Sequence, residues 1–440
     1  MPEILDLLRD ADAVHGFYYL CMHFLFSAWE GGLVTLRLPS VVATALTAGL
    51  VGIIALRLTA RPAAGLLSGL AFAVTPEVQM YAQEGRSYAM VSALVAVSTY
   101  LFVTLLDRVS KIRWLVYALA VLAASLLHEF AVLTLLAHGI TFFRSQPPYA
   151  NRRYFAISVG GVLVCLLPLV LFSVGQSGQV SWIGRPGLRE WFEIGGVALV
   201  ALLCAVYLSR SGRSAAVPAL ALPLAVVPTA VLLMAAVYEH MYVDRYVLYA
   251  NIGFALVIGT ALVFLADHAK HLPFARSPKA QSLSQSLSVI VLAVAFAAAI
   301  LPVSVHMRTP DSRKDNVTAI AAGVEEMSEQ GDSILFAPAR RREWMLSYPD
   351  QFAGLADVAL KDNPSASGTL QGIELSAPAI RQRLARVERI IVLSDPKGQP
   401  LDAGAQEAVK REFLERDFVE CRREEFKGGQ ATLYARSASC

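Results

Sequence analysis

The chain reads as a polytopic α-helical membrane protein that carries a C-terminal α/β domain. Three observations predict this. Of its 440 residues, 55% are hydrophobic and only 17% charged, whereas a soluble domain carries roughly 25% charged residues. About ten apolar runs follow one another between residues 40 and 305, most of them near the ~20 residues that cross a hydrocarbon core. Beyond Met307 the chain turns polar and takes on the mixed pattern of a globular domain.

The predicted organisation runs in three parts: an extracytoplasmic loop with an interfacial helix over 1–39, a multi-pass transmembrane domain over 40–306, and an extracytoplasmic α/β domain over 307–440. The aromatic-rich stretch Val14 to Trp29 reads as an interfacial helix or as a full span. The apolar runs then cover roughly 40–58, 63–76, 87–106, 114–127, 129–143, 154–174, 194–209, 215–236, 246–266 and 287–305, of which the second, fourth and fifth are short for a crossing.

Basic residues in the short connections set the orientation, because Lys and Arg gather on the cytoplasmic side. Alternate connections hold Arg57 and Arg61; Arg108, Lys111 and Arg113; Arg144, Arg152 and Arg153; Arg210 and Arg213; Lys270, Arg276 and Lys279. The other set holds only Arg86, Arg185, Arg189 and Arg245. The net charge of +3 hides this segregation. The first set is therefore cytoplasmic, and "YAQEGRSYA" (Tyr81 to Ala89) lies outside. Ten spans that end outside also begin outside, so a further membrane helix is expected upstream of Met1. The alternative, Val14 to Trp29 crossing from the inside, would invert the charge bias.

Five cysteines show no metal-ligand spacing. Cys21, Cys165 and Cys204 fall in or beside apolar runs and read as buried thiols. Cys421 and Cys440 can pair only on an oxidising side; the expectation is two thiols. In the tail, Asn316 to Gln330 predicts a helix, Ser333 to Phe336 and "RIIVLSD" predict buried strands, "AQEAVKREFLERD" an amphipathic helix and "ATLYARS" a last strand. That alternation predicts a small layered domain with a mainly parallel sheet. It holds no glycine-rich phosphate loop and no catalytic cluster, and reads as a recognition or packing domain.

Ionisable residues are costly near a membrane unless they line a cavity, pair or reach headgroups. On the outer side they recur in loop after loop: Asp10, Asp12 and His15; Glu77, Glu84 and Arg86; His128 and Glu129; Arg185 and Arg189, beside the aromatic Trp182; Glu239, His240, Asp244 and Arg245. Each alone has a plainer reading. Glu84 and Arg86 fit a helix N-terminal acid and a headgroup-seeking arginine. Tyr18, Tyr19, Tyr81 and Tyr88 fit an aromatic belt, His128 a satisfied buried histidine, and Asp244 with Arg245 a local ion pair. Their joint presence on one face points to a site that opens outward.

The segments "VHGFYYLCMHFLF", "LRLPSVVATAL" and "TPEVQMYAQEGRSYAM" resemble the GT-C superfamily of polyprenyl-phosphate-sugar-dependent glycosyltransferases. Within it, the chain looks like the bacterial mannosyltransferase-like membrane proteins, related to the aminoarabinose transferase and protein mannosyltransferase families. His15 with Tyr18 and Tyr19, the Arg37 to Ser40 helix start, and Tyr81, Gln83, Glu84, Arg86 and Tyr88 carry the match, and His128 with Phe130 is similar to the family's external His-aromatic step. The match covers roughly residues 10–145.

The resemblance implies transfer of a sugar, mannose first, from a polyprenyl-phosphate carrier to a glycan, lipid or protein of the cell envelope. It also implies an acidic general base in the first external loop and a family first helix that this sequence lacks. The family's leading acid pair has no counterpart here, which leaves Asp10 and Asp12 as the nearest acids. The substrate-binding candidates are His15, Tyr19, Glu84, Arg86, Tyr88, His128, Asp244 and Arg245, because arginines neutralise a phosphate bidentately. Glu84 and Tyr88 are expected one turn apart on one helix face. The sequence assigns no cofactor; a divalent metal ion is open at Asp10 and Asp12, though two carboxylates are a thin donor set. Two other functions compete: a sensor or scaffold with an external ligand-binding domain, which leaves the loop acids unexplained, and a transporter, which a repeat-free sequence with polar residues at one face disfavours. Nothing points to nucleic acid.

Overall fold

Prolines and breaks in helical conformation punctuate the membrane unit before packing is considered. The computed structural model describes residues 13–29, 31–174, 187–211, 214–238, 242–267, 278–399, 401–436 and 440. The chain divides into two compact units, Met1–Val305 and His306–Cys440. Unit one contains α1 (Gly16–Ala28), α2 (Leu33–Thr59), α3 (Pro62–Val74), α4 (Pro76–Ala82), α5 (Tyr88–Asp107), α6 (Lys111–Leu127), α7 (Thr134–Arg144), α8 (Tyr149–Val174), α9 (Leu188–Arg210), α10 (Ala216–Tyr238), α11 (Asn251–Asp267) and α12 (Pro278–His306). Pro62 and Pro76 open α3 and α4, positions where the missing N–H costs nothing. Ser110 caps α6 by accepting from the Arg113 backbone N–H, and an extended His128 ends it.

Each of the apolar runs lies on helix, but they differ in reach. Among the described residues, 7 helices are long and apolar enough to cross a membrane, while α3, α6 and α7 have 13, 17 and 11 residues. The short runs of the sequence are the short helices. With 13 residues, α1 is about 20 Å long at ~1.5 Å per residue, well short of a ~30 Å hydrocarbon core.

Without water to bond to, polar groups inside the bundle must be satisfied by protein. Thr47, Ser92 and Ser125 donate to carbonyls four residues back on their own helices. Three helices meet at Trp114, whose indole N–H donates to Asn151, while the Asn151 amide donates to the Leu105 carbonyl. The buried His138 ring sits 3.1 Å from both the Tyr117 hydroxyl and the Thr99 hydroxyl, stacked at 4.5 Å on Phe102. At one end of the bundle Arg61 pairs with the buried Asp267 at 2.5 Å and Arg57 with Asp107 at 3.1 Å. The first of these ties the start of α3 to the end of α11, the second the end of α2 to the end of α5.

Unit two is a sandwich of helices around one sheet. Strands β1 (Ser333–Ala337), β2 (Ala356–Asp357), β5 (Arg389–Ser394), β6 (Val419–Phe426) and β7 (Gly429–Ala435) order as β2-β1-β5-β7-β6, with a small β3 (Leu360–Asp362) and β4 (Ile373–Glu374) pair beside them. The sheet is mixed rather than mainly parallel: β2, β1 and β5 are parallel, and β7 and β6 antiparallel. A connection of only Lys427 and Gly428 joins β6 to β7, too short for a crossover, and Gly428 takes the positive φ of 90° that the tight turn needs. The expected elements are all present; β6 and the short β2 to β4 are additional, as is the helix at Ala377–Leu384 (α14) between Val317–Met327 (α13) and Ala405–Asp417 (α15).

Alternation along the strands builds two cores. Ile334, Phe336, Ile391 and Leu393 face Ile320 and Val324 of α13, while Leu335, Ile390 and Val392 face Ile380, Leu384 and Phe413. Under the sheet lies a buried charge cluster. Arg342 binds Asp357 at 2.6 Å and Glu374 at 2.8 Å. Lys410 donates to Glu374, Glu407 and the Phe336 carbonyl, each at 2.8 Å. Both cations are wholly buried, and removing one partner of such a cluster strands a charge.

Cys421 and Cys440 form a disulfide across a sequence separation of 19, against the expectation of two thiols; the edge strand and the chain end meet, which spacing alone does not reveal. Cys21, Cys165 and Cys204 remain thiols, with Cys165 exposed on the bundle surface rather than buried.

Two outcomes follow. Lys410→Met should lower the stability of this unit by about 3–5 kcal/mol, read as a fall in its denaturation midpoint, because Glu374 and Glu407 lose their shared cation. In protein isolated without reductant and unfolded in detergent, a maleimide should label Cys21, Cys165 and Cys204, and two further cysteines only after reduction.

Candidate active site

The charged stretch "YAQEGRSYA" is shaped by what packs around it. Helix α4 ends at Ala82, residues 83–87 form turns and bends, and α5 begins at Tyr88. Glu84 and Tyr88 therefore do not share a helix face, contrary to the sequence expectation. The turn lies so close to α2 that a Cβ on Gly85 would stand 2.3 Å from Leu36, a place only glycine fills without a shift. Ser40 holds the same turn by donating to the Arg86 carbonyl at 3.1 Å.

Tyr88, buried at the start of α5, is the hub. Its hydroxyl accepts from Arg245 Nε at 3.1 Å, and the guanidinium lies 5.8 Å from the Tyr88 ring and 5.7 Å from that of Tyr246, within cation–π range. Asp244, next in sequence, takes a different partner: its carboxylate accepts from the Tyr81 hydroxyl at 3.2 Å and from the Arg245 backbone N–H at 2.7 Å. The local Asp244–Arg245 side-chain pair is thus replaced by two bonds to tyrosines of the Tyr81–Tyr88 segment.

The imidazole of His128 completes the cluster. Its ring stands 4.5 Å from Tyr246, 5.5 Å from Tyr88, 5.5 Å from Phe130 and 5.9 Å from His15. His15 in turn lies 6.3 Å from Tyr19. Of the predicted residues, His15, Tyr19, Tyr88, His128, Asp244 and Arg245 are brought together at one end of the bundle. It is the end opposite to Arg57, Asp107, Arg61 and Asp267, since α5 runs from Tyr88 here to Asp107 there. Arg86 is exposed on the rim, and its side chain makes no ion pair among the described residues, so Glu84 does not fix it. Asp10 and Asp12 lie outside the described residues. Among the described residues, no three His, Cys, Asp or Glu side chains converge to hold a metal.

Tyr246 was not singled out by the sequence, and Tyr81 only as part of the family motif, yet Tyr246 touches four rings or charges and Tyr81 holds Asp244. The signal for Tyr246 was adjacency to a predicted charge. Glu129 is bonded by the Ser173 hydroxyl at 3.1 Å, beside His128. Tyr18 is 4% exposed and its hydroxyl has no hydrogen-bond partner; burial pushes this phenol up to about 12, with the Arg86 charge drawing it back. Glu77, in α4, accepts from the Asn251 amide at 3.2 Å. It keeps one side open to solvent, while the protein packed round its carboxyl and the Asp244 and Glu193 carboxylates push its pKa up. Chemically, the cluster offers fixed phenols, imidazoles and a guanidinium, suited to a sugar ring and a phosphate monoanion or diester.

No protein-family model matches the chain, and no curated protein matches it. Two solved structures share its fold. ArnT from Cupriavidus metallidurans in the apo state aligns with a TM-score of 0.57 at 12% identity, covering 96% of this chain and 88% of that one. The same protein bound to undecaprenyl phosphate aligns at 0.53 and 12% identity, with 96% and 88% covered. These neighbours are GT-C glycosyltransferases, and the fold of this chain is GT-C-like, with a C-terminal sheet domain.

Because Glu77 is shifted upward from its ordinary value of 4.5, the folded chain holds a proton that the unfolded chain releases. Stability therefore falls as pH rises from about 4.5 through the raised value. Glu77→Gln, which keeps an acceptor for Asn251, should raise the thermal midpoint in detergent at pH 7 and leave it unchanged at pH 4.

Proposed function

We propose that the protein transfers a sugar from a polyprenyl-phosphate carrier to a cell-envelope acceptor at the outer face of the membrane. One observation carries the reading most: the side chains of four separate segments, His15, Tyr88, His128 and Arg245, converge at the bundle end that the positive-inside bias assigns to the outside. Two further supports stand beside it, the sequence resemblance and the shared fold with a protein crystallised with undecaprenyl phosphate.

In this reading the acceptor hydroxyl attacks the anomeric carbon, its proton passes to a carboxylate, and the bond from that carbon to the carrier phosphate breaks. A single displacement inverts the anomeric centre. Asp10 and Asp12 are the proposed bases, on the acceptor side. Arg245, already held by Tyr88, and Arg86, on the rim, neutralise the departing phosphate. Asp244 keeps Tyr81 and the Arg245 backbone in register, and Glu84 and the His15, Tyr19 and His128 rings bind the sugar. Mannose is the first donor to test. The C-terminal domain is proposed to be extracytoplasmic; its disulfide suits an oxidising compartment.

The test is transfer from radiolabelled polyprenyl-phosphate mannose, and from other lipid-linked sugars, to envelope acceptors. Arg245→Ala and Arg86→Ala should each lower kcat/KM by about 10²–10³-fold, the usual cost of losing a charge-stabilising donor. Asp10→Asn and Asp12→Asn should lower kcat with little change in KM. Unaltered lipid-linked sugar in the presence of the intact protein would remove the proposal.

A further inference from the structure

The segment that carries Arg245 is weakly held by its own backbone. Asp244–Ala250 is a stretch of 3₁₀ turns, broken at Val247, whose φ of −119° and ψ of 25° are not helical. Short 3₁₀ turns have poor hydrogen-bond geometry, so the placement of this segment falls to side chains. At its start Tyr88 takes Arg245. At its end the Asn251 amide donates to Glu77 at 3.2 Å and to the Leu248 carbonyl at 3.1 Å.

Between those two ends stands Tyr249, a phenol outside the aromatic cluster. It is wholly buried and donates to the Phe130 carbonyl at 2.8 Å, across 119 residues of sequence. A buried tyrosine ordinarily sends its O–H to some partner; the choice of partner is what distinguishes this one. Phe130 belongs to the short stretch that follows His128. Tyr246 packs over the same stretch, 4.5 Å from the His128 ring and 5.6 Å from that of Phe130. The Tyr249 hydrogen bond therefore ties the segment of Arg245 to the loop of His128.

We propose that Tyr249 is a positioning residue for the transfer reaction, fixing the separation of His128 from Arg245 through the Phe130 carbonyl. The proposal rests on the reading that the imidazole binds the sugar and the guanidinium neutralises the departing phosphate. The bond that breaks lies between those two groups, so the distance from imidazole to guanidinium is the distance across the scissile bond. Without the Tyr249 hydroxyl every group that binds the donor is still present, and donor affinity is kept. What is lost is the fixed spacing that the two loops must keep while the bond stretches, and such misplacement is paid in rate.

The experiment compares the full chain with Tyr249→Phe, which removes one oxygen and keeps the ring, both in nanodiscs. With the lipid-linked sugar that the intact chain consumes, Tyr249→Phe should lower kcat about tenfold and leave the donor KM within about twofold, since orientation and not binding is lost. Tyr249→p-aminophenylalanine, which restores an N–H donor at the same place, should recover kcat. Tyr117→Phe, which takes a second buried phenol away from His138, should lower stability and leave kcat unchanged. Amide hydrogen exchange read by mass spectrometry should quicken at residues 128–133 and 244–250 in Tyr249→Phe and hold elsewhere in the bundle. A raised KM with kcat kept, an equal loss of kcat in Tyr117→Phe, or unchanged exchange at 128–133 would each overturn the proposal. The two readings separate cleanly. Quickened exchange in a protein whose intact form turns over no lipid-linked sugar leaves the tie between the loops standing and removes the transferase reading; transfer at full rate by Tyr249→Phe does the reverse.

Discussion

The contact between Arg245 and Tyr88 is the constraint on which the outward end of the bundle depends. It joins residues 157 apart in sequence, at 3.1 Å, and fixes the segment entering α11 against the first turn of α5. Around it the remaining groups have little freedom. Asp244 is turned toward Tyr81 because its neighbour's guanidinium is already spoken for, and Tyr246 is carried against His128. A guanidinium is always charged and offers a planar set of donors, so a single residue can hold a phenol, lie across two rings and still face outward.

The two ends of the bundle solve the electrostatic problem of a membrane protein in opposite ways. Away from the site, Arg61 closes on a buried aspartate and Arg57 on Asp107, so each charge is neutralised within the protein. At the site end, phenols and imidazoles outnumber carboxylates, and Arg37 and Arg86 are left without ionic partners among the described residues. In unit two the cations are again matched internally, by Asp357, Glu374 and Glu407, which leaves its buried charge with a structural task.

Much of the fold was legible because lipid makes periodicity simple. A run of apolar residues that must satisfy its own backbone has helix as its one economical solution, and each run proved helical. In the tail, "AQEAVKREFLERD" maps residue for residue onto Ala405–Asp417, since its pattern alternates one apolar stripe with charge. The sheet's mixed direction was less legible. β6, with a polar pattern on an edge, carries no hydrophobic signature, and strand direction is set by connection length rather than by the strand itself. The disulfide escaped for a related reason, as it depends on where the chain end returns.

For the site, the sequence by itself determined which residue types gather on one membrane face: tyrosines, histidines, Asp244, and arginines at Arg86 and Arg245. Local chemistry is enough for that, since loop position and charge bias are written along the chain. Only the tertiary structure decided who meets whom. It separated Glu84 from Tyr88 by ending one helix at Ala82 and starting the next at Tyr88, divided Asp244 from Arg245 between two tyrosines, and brought Tyr246 to His128. Those choices turn on contacts between segments far apart in sequence, where packing and not periodicity selects the partner.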